Sequence, residues 1–290
     1  MRYVRASLTP LLAAVGLFCA ARAEAQPTPL QLAQQIDLEC RHAQGAPPPA
    51  DDLFIRQLNP VIKNQNLLPN QNAELGPLEE VCVPVAKNNV IPTQPARDII
   101  RAVDLACYKA TAPKVDRWLI ASHLNPVLGN LPPELVHLTQ LEQVCVPVAK
   151  NGVVPPEPVR KVAEHMDFAC YGLEQPTSDA NRDLTLTHLN PVLVDMGLAP
   201  HNARMERARQ LCVPIGKQQQ PIPDGVQRLV SWVDFLKYNL TPAAPLAPIP
   251  LTLRHLNPLF AGRPSFPVVL LGQPRLLVPV AKNGVWPPNN

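Results

Sequence analysis

The sequence predicts an α+β protein, built as a tandem array of four small β-rich modules with a short helix in each. The main observation is a recurring heptapeptide, which reads Cys-Val-Pro-Val-Ala-Lys-Asn at Cys82–Asn88. It returns at Cys145–Asn151, Cys212–Gln218 and Leu277–Asn283. Its lysines stand at 87, 150, 217 and 282, so successive copies are 63, 67 and 65 residues apart. A period this regular indicates a tandem repeat.

Proline and cysteine content support the same fold class. The 37 prolines argue against long uninterrupted helices or strands. The cysteines beyond residue 25 fall two to a repeat in the first three repeats, and the fourth repeat has none. We therefore predict a signal peptide at residues 1–25 and modules at 26–94, 95–156, 157–222 and 223–290, with one internal disulfide in each of the first three.

The first 25 residues have the pattern of a secretory signal peptide. Two arginines precede an apolar run from Leu11 to Ala20, and Ala23–Ala25 forms a small-x-small cleavage site. Cleavage near Ala25–Gln26 predicts a secreted or periplasmic protein and removes Cys19. Acylation of Cys19, as in a lipoprotein, is the alternative. No later stretch approaches the roughly 20 apolar residues of a membrane-spanning helix.

The charge balance excludes some classes of partner. Residues 26–290 keep 23 of the 26 basic residues and 22 of the 23 acidic ones, which leaves a net charge of +1. Such a balance gives no long-range attraction to nucleic acid or anionic lipid. We expect no nucleic-acid partner, and a cell-surface or extracellular ligand stays an open candidate.

The fourth repeat indicates how the cysteines pair. It carries Lys237 and Leu277 at the two cysteine positions, so both partners are missing together. This is expected if each repeat closes its own bridge, because a single loss would leave a free thiol in an oxidising compartment. We predict the disulfides Cys40–Cys82, Cys107–Cys145 and Cys170–Cys212. The alternative, Cys82–Cys107 with Cys145–Cys170, leaves two cysteines unpaired unless the array closes into a ring.

Each repeat begins with a proline-led apolar segment and a cysteine-bearing strand. Apolar residues three and four apart predict short helices at Pro29–Ile36, Pro95–Val103, Pro158–Met166 and Pro223–Val233. Aromatic and apolar residues then predict strands at Asp37–Cys40, Asp104–Tyr108, Asp167–Tyr171 and Asp234–Tyr238. A loop of varied length follows each strand.

Two further segments complete each repeat. The Leu-Asn-Pro runs at Gln57–Pro60, His123–Pro126, His188–Pro191 and His255–Pro258 follow alternating residues, which predicts a strand that ends at an Asn-Pro turn. The heptapeptide alternates with both faces apolar, as in a buried strand, whereas its proline predicts an edge strand or a bulge. These two signals conflict.

The register of the bridged strands predicts a recurrent ion pair. If Cys40 lies opposite Cys82, then Asp37 lies opposite Val85 and within diagonal reach of Lys87. All four repeats keep both charges, including the repeat without a disulfide. We predict the pairs Asp37–Lys87, Asp104–Lys150, Asp167–Lys217 and Asp234–Lys282.

The candidates for chemistry are the recurrent histidines and lysines. His123, His188 and His255 occur once in each of three repeats, and Gln57 replaces the histidine in the first. We interpret them as strand-end residues satisfied by their neighbours, because a metal site needs several ligands to converge. The sequence has no His-Glu-x-x-His, Cys-x-x-Cys, phosphate loop or Gly-x-Ser-x-Gly motif. We therefore expect no catalytic residue, metal or cofactor.

The two ends of each repeat carry a resemblance. Cys107–Lys109 reads Cys-Tyr-Lys, and Val144–Gly152 contains Cys-x-Pro-Val-x-Lys-Asn-Gly. These signatures resemble an uncharacterised family of exported bacterial disulfide-stapled repeat domains. The resemblance implies an exported module of unknown function and supplies no functional residues, and the Leu-Asn-Pro run departs from it.

The function that the sequence favours is non-enzymatic. Repetition offers extended or multivalent surfaces, so we expect a binding or structural role at the bacterial envelope or outside the cell. One alternative is an enzyme whose site forms between modules from recurrent His and Lys residues. The other is a secreted inhibitor or effector that uses the variable loops.

Overall fold

The computed structural model describes residues 26–45, 52–174 and 177–290. Within these residues the protein is a β-rich α+β structure with short helices and three disulfides. The expected signal peptide, with Cys19, lies outside the described residues. No helix in the described part of the chain is long and apolar enough to cross a membrane.

The described residues form short helices and mostly longer strands. The helices are α1 (Pro29–Ala33), α2 (Pro60–Asn64), α3 (Ala96–Ile100), α4 (Glu157–Ala163), α5 (Pro191–Asp195) and α6 (Asp224–Val230). The strands are β1 (Leu38–Gln44), β2 (Asp52–Gln57), β3 (Gln71–Lys87), β4 (Leu105–Thr111), β5 (Arg117–His123), β6 (Glu134–Lys150), β7 (Asp167–Leu173), β8 (Arg182–His188), β9 (His201–Lys217), β10 (Phe235–Pro242), β11 (Ile249–His255), β12 (Phe266–Leu270) and β13 (Arg275–Lys282).

The proline-led helices are present and shorter than the sequence predicts. Thr28 and Gln31 form a capping box at the start of α1, which ends at Ala33 instead of Ile36. The chain then turns towards β1, and Ile36 is still fully buried. The apolar spacing therefore identifies the residues that are buried, and only the first part of the segment Pro29–Ile36 is helical.

The Asn-Pro runs begin a helix in two repeats. Strands end at Gln57 and His188, as predicted, and α2 and α5 start at the following prolines. Asn59 accepts hydrogen bonds from the backbone N–H groups of Val61 and Ile62. Asparagine is a favoured N-cap and proline a favoured first helical residue, so Asn-Pro here is a helix start as well as a turn.

Eight strands form a closed circuit of antiparallel pairs. The order is β1, β3, β4, β6, β7, β9, β10 and β13, and β13 pairs back with β1. The last repeat is therefore hydrogen-bonded to the first. Strand pairing crosses every boundary between the sequence repeats.

The remaining strands connect repeats that are two apart. β8 pairs through Arg182–Leu186 with β9 of its own repeat and through Leu186–His188 with the end of β3. The equivalent pairings are β2 with β3 and β9, β5 with β6 and β13, and β11 with β12 and β6. In the fourth repeat the long strand is interrupted and forms β12 and β13.

The heptapeptide lies on a buried strand that is paired on both sides, so of the two conflicting signals the apolar alternation is confirmed and the edge strand is wrong. Pro84 pairs with Leu38 of β1, and its carbonyl accepts a hydrogen bond from Leu189 N–H, just beyond β8, at 2.9 Å. In a strand, the nitrogen and the carbonyl of one residue point to the same side, so the Pro84 nitrogen faces the side of β4 and β8. Pro84 lies where β4 ends as the neighbour of β3 and β8 begins. The missing N–H of proline therefore costs no hydrogen bond between strands. The same bond joins Leu58 to Pro214, Leu124 to Pro279 and Leu256 to Pro147.

The cysteine-bearing face of the circuit points inward. Phe168 on β7 and Phe235 on β10 are not on neighbouring strands, yet their ring centroids are 5.2 Å apart. Sγ atoms of neighbouring disulfides approach to 3.6 Å at Cys82 and Cys107. Helices α1, α3, α4 and α6 contact one another in a ring and pack on this core. The outward face packs on a second core that includes β2, β5, β8 and β11, so both faces of the heptapeptide are buried.

Candidate functional site

The recurrent aspartates and lysines form four buried ion pairs. The pairs are those that the cysteine register predicts: Asp37–Lys87, Asp104–Lys150, Asp167–Lys217 and Asp234–Lys282. The Asp37 carbonyl also accepts a hydrogen bond from Val85 N–H at 3.0 Å, which fixes the expected register. Each charged side chain is at most 5 % exposed.

An asparagine from the following repeat completes each pair. Asn125 Nδ2 donates to the second carboxylate oxygen of Asp37 at 2.8 Å. The equivalent contacts are Asn190 with Asp104 at 2.7 Å and Asn257 with Asp167 at 2.9 Å. Asn59 donates to Asp234 at 2.7 Å, on the same oxygen that Lys282 contacts. Each asparagine belongs to a Leu-Asn-Pro run. From the sequence, Asn-Pro predicts only a turn, so this role of the asparagine was not predicted.

Burial shifts both members of these pairs towards their neutral forms. It raises the pKa of Asp167 and Asp234 to about 6, against the opposing effect of Lys217 and Lys282. Burial likewise lowers the pKa of all four lysines. Because a buried ion pair loses much of its attraction to desolvation, the asparagine donors are needed to satisfy the carboxylates. We define each set as an Asp–Lys–Asn triad.

Two of the recurrent histidines bind tyrosines from the repeat two positions away. His123 Nε2 lies 3.1 Å from Tyr238 Oη, and His255 Nε2 lies 3.2 Å from Tyr108 Oη. Burial lowers the pKa of both histidines to about 4, so both are neutral near pH 7. In the first repeat Gln57 takes the histidine position and donates to Tyr171 Oη at 3.2 Å. These contacts satisfy Nε2 of each histidine, whereas Nδ1 of His123 and of His255 is buried with no hydrogen-bond partner among the described residues.

The third histidine has different surroundings. Arg41 occupies the position that Tyr108, Tyr171 and Tyr238 have in the other repeats, so His188 has no tyrosine there. His188 Nε2 lies 4.0 Å from Glu39 Oε2, and His201 Nε2 lies 3.5 Å from Glu39 Oε1. We call Glu39, Arg41, His188 and His201 the Glu–Arg–His cluster.

The Glu–Arg–His cluster is a departure from the repeat pattern at three positions. Glu39 is fully buried where the other repeats have Ala106, Ala169 and Leu236. His201 stands where they have Gln71, Glu134 and Phe266. Arg41 Nε donates to Glu39 Oε1 at 2.9 Å. β3 pairs with β1 and also with β8. The unusual residues of the first repeat therefore lie next to those of the third.

A second buried cluster replaces the disulfide missing from the fourth repeat. Lys237 is fully buried, contacts Glu80 Oε2, and donates to Gln143 Oε1 at 2.7 Å. Arg275 Nη1 lies 2.9 Å from the other Glu80 oxygen. Burial alone raises the pKa of Glu80, but the charges of Lys237 and Arg275 outweigh it and hold that pKa below its usual value. Burial lowers the pKa of Lys237.

We expect Glu80→Gln to lower the free energy of unfolding by about 3–5 kcal/mol, because it leaves the Lys237 ammonium buried without its carboxylate. Guanidinium denaturation followed by circular dichroism measures this loss. The control Glu80→Gln/Lys237→Met removes both charges and should recover most of it. Equal stability of Glu80→Gln and the parent protein would contradict the expectation.

A cleft of about 440 Å³ lies over one of the triads. Its walls include Val153, Val154 and Pro155, and Asp104, Lys150 and Asn190 contribute to its lining. Val153 and Val154 are both more than 40 % exposed. This cleft brings a recurrent lysine near a surface opening between the second and third repeats.

Comparison with protein-family models, curated proteins and solved structures returns no match for this chain.

Proposed function

We propose that the protein is an exported, non-enzymatic scaffold made of four tandem modules, with a binding or structural role at the bacterial envelope or outside the cell. The repeats of this array act as units of one ring, since strands of each repeat pair with those of the next and the last pairs with the first. Such a ring holds loops from all four repeats in fixed relative positions.

One observation carries the proposal. All four recurrent aspartates and all four lysines are buried in triads, and the asparagine of each triad comes from the next repeat. Two of the three histidines are likewise bound to tyrosines. The recurrent asparagines and two of the recurrent histidines therefore join repeats, whereas a catalytic acid–base pair would need two groups in different environments near a substrate.

Export rests on the disulfides and the leader pattern. Three disulfides, at Cys40–Cys82, Cys107–Cys145 and Cys170–Cys212, are typical of oxidising compartments. The leader pattern of residues 1–25 and the resemblance to exported bacterial repeat domains support the same compartment.

Export is tested by expressing the full sequence in a bacterium and analysing the product by mass spectrometry. We expect a mature chain that begins at Gln26, found in the periplasm or the medium, with no cysteine that reacts with a maleimide before reduction. A full-length cytoplasmic product with reactive thiols would contradict export.

The structural role of the histidines is tested by chemical accessibility. Diethyl pyrocarbonate should modify the exposed His42 rapidly and leave His123 and His255 unmodified in the native protein, since both are less than 8 % exposed. Rapid modification of the two buried histidines would favour the enzyme alternative, which requires them to reach a substrate.

The enzyme alternative has one specific observation in its favour. Lys150 has a pKa lowered by burial and contributes to the lining of the cleft, and a desolvated lysine can act as a base or form a Schiff base. Its test is reductive trapping with propanal and cyanoborohydride. Lys87, Lys217 and Lys282 are matched controls, because each occupies the same triad position. Selective alkylation of Lys150 would support an enzyme, whereas equal protection of all four supports the scaffold.

A further inference from the structure

The Glu–Arg–His cluster has the composition of a metal site. Glu39, His188 and His201 place one carboxylate oxygen and two ring nitrogens within 4.8 Å of one another. The described residues contain one other such grouping, Cys40, Glu80 and Cys82, but its sulfur atoms are joined in a disulfide and cannot bind as thiolates.

We propose that Glu39, His188 and His201 bind one divalent transition-metal ion, and that Zn²⁺ is the ion that fits best. Zinc takes nitrogen and oxygen ligands at about 2.0–2.2 Å, which sets neighbouring ligand atoms roughly 3.3 Å apart in a tetrahedral site. His188 Nε2 lies 4.0 Å from Glu39 Oε2, and His201 Nε2 lies 3.5 Å from Glu39 Oε1. One ligand atom from each of the three residues lies within 4.8 Å of the other two, which is wider than a tetrahedral site requires. Small side-chain movements bring the three atoms to bonding distance.

The donor atoms are available. Glu39 Oε2 and His201 Nε2 are buried and have no hydrogen-bond partner among the described residues. Leaving a carboxylate oxygen buried without a partner is costly, and a bound cation removes that cost. Arg41 donates to the other oxygen of Glu39 and so holds the carboxylate in place, as hydrogen-bonded outer groups do at known metal sites.

The ligand set selects the class of metal. Two imidazoles exclude Mg²⁺ and Ca²⁺, which take oxygen ligands, and favour the later transition metals. Three protein ligands leave one position of a tetrahedral zinc site for water. His201 is the most exposed of the three side chains, at 14 %, whereas Glu39 is fully buried. The His201 side is therefore the part of the site nearest to solvent.

A purely structural explanation accounts for only part of the cluster. Arg41 and Glu39 could replace the tyrosine and alanine of the other repeats as a buried ion pair. That explanation gives no role to His201, whose ring lies in the same cluster with its centroid 6.1 Å from that of His188. The metal site explains all three departures from the repeat pattern together.

The proposal is tested by titrating the chelator-treated, disulfide-intact protein with ZnCl₂ in a calorimeter, and with CoCl₂ as a spectroscopic probe. We expect one ion per chain and the strong visible absorption of four-coordinate Co²⁺. Glu39→Gln, His188→Gln and His201→Gln should each weaken binding at least 10- to 100-fold, the loss found when even an outer-shell partner is removed.

Two control variants keep the test decisive. His137→Gln changes a surface histidine that contacts Asp116 and Glu174, and it should leave the tight site unchanged. Glu39→Ala/Arg41→Tyr installs the residues of the second and third repeats, so it should fold and fail to bind the metal. The proposal is overturned if the parent protein takes up no Zn²⁺, or if Glu39→Gln and Glu39→Ala/Arg41→Tyr bind it as tightly as the parent.

Discussion

The fully reduced protein should be unfolded in water at 25 °C. Its three disulfides close loops with sequence separations of 42, 38 and 42 residues, and each contributes about 4 kcal/mol in the chain-entropy model. The sum of about 12 kcal/mol is as large as the whole free energy of unfolding of most domains, about 5–15 kcal/mol. Circular dichroism of protein reduced in guanidinium and then diluted into reducing buffer measures the result.

A single-disulfide variant calibrates this prediction. Cys107→Ala/Cys145→Ala removes one bridge and should lose about 4 kcal/mol while still folding, because two bridges and the triads remain. All six disulfide cysteines are fully buried, so the native protein should also resist reduction until it is unfolded. A reduced chain with the same guanidinium midpoint as the oxidised protein would show that the bridges are not needed for the ring.

As the pH drops from about 6.5 to about 4, the parent protein should lose stability relative to the variant His123→Gln/His255→Gln. Both histidines are neutral in the folded protein down to a pKa of about 4, whereas the unfolded chain protonates them near 6.5. The unfolded state therefore binds more protons in this window. The contribution of each neutral histidine to the free energy of unfolding is complete above pH 6.5. It is lost as the pH falls from 6.5 to about 4, and the loss is about 3 kcal/mol for each histidine.

The first repeat already has glutamine at the position that is changed in this variant. Gln57 makes the equivalent hydrogen bond to Tyr171 without a titrating group, so glutamine at positions 123 and 255 should keep the fold at pH 7. Urea denaturation at several pH values measures the effect, and His42→Gln is the exposed control. Asp167 and Asp234 have raised pKa values, which act in the opposite direction, and they are present in both proteins. Parallel pH profiles for parent and variant would contradict the prediction.

Contacts within one repeat could be predicted from the sequence. The disulfide Cys40–Cys82 joins directly opposed residues of neighbouring strands, and Asp37 reaches Lys87 from the same register. The register of β1 against β3 determines both the disulfide and the Asp–Lys pair. The Asp–Lys pattern could be recognised because it recurs in all four repeats. The helix lengths were less predictable, because residues such as Ile36 are apolar for burial and not for helix formation.

Contacts between repeats could not be predicted in the same way. The asparagine that completes a triad comes from the next repeat, and the tyrosine that binds His123 comes from two repeats away. Because the four repeats share the same motifs, the motifs do not indicate which repeats are in contact. A signal for the Glu–Arg–His cluster was present, since aligning the copies shows Arg41 in place of tyrosine and Glu39 in place of a small or apolar residue.

The closed circuit of strands brings the first and last described segments of the chain side by side. Thr28 and Asn289 are hydrogen-bonded side chain to side chain, and Leu30 N–H donates to the Pro288 carbonyl at 3.1 Å. A circularly permuted gene could join these two segments with a short linker and open the chain at residues 91–94. This opening lies outside every strand and outside every loop that a disulfide closes, so all strand pairs and disulfides can still form. The same circuit of strands can then form whichever repeat comes first in the sequence.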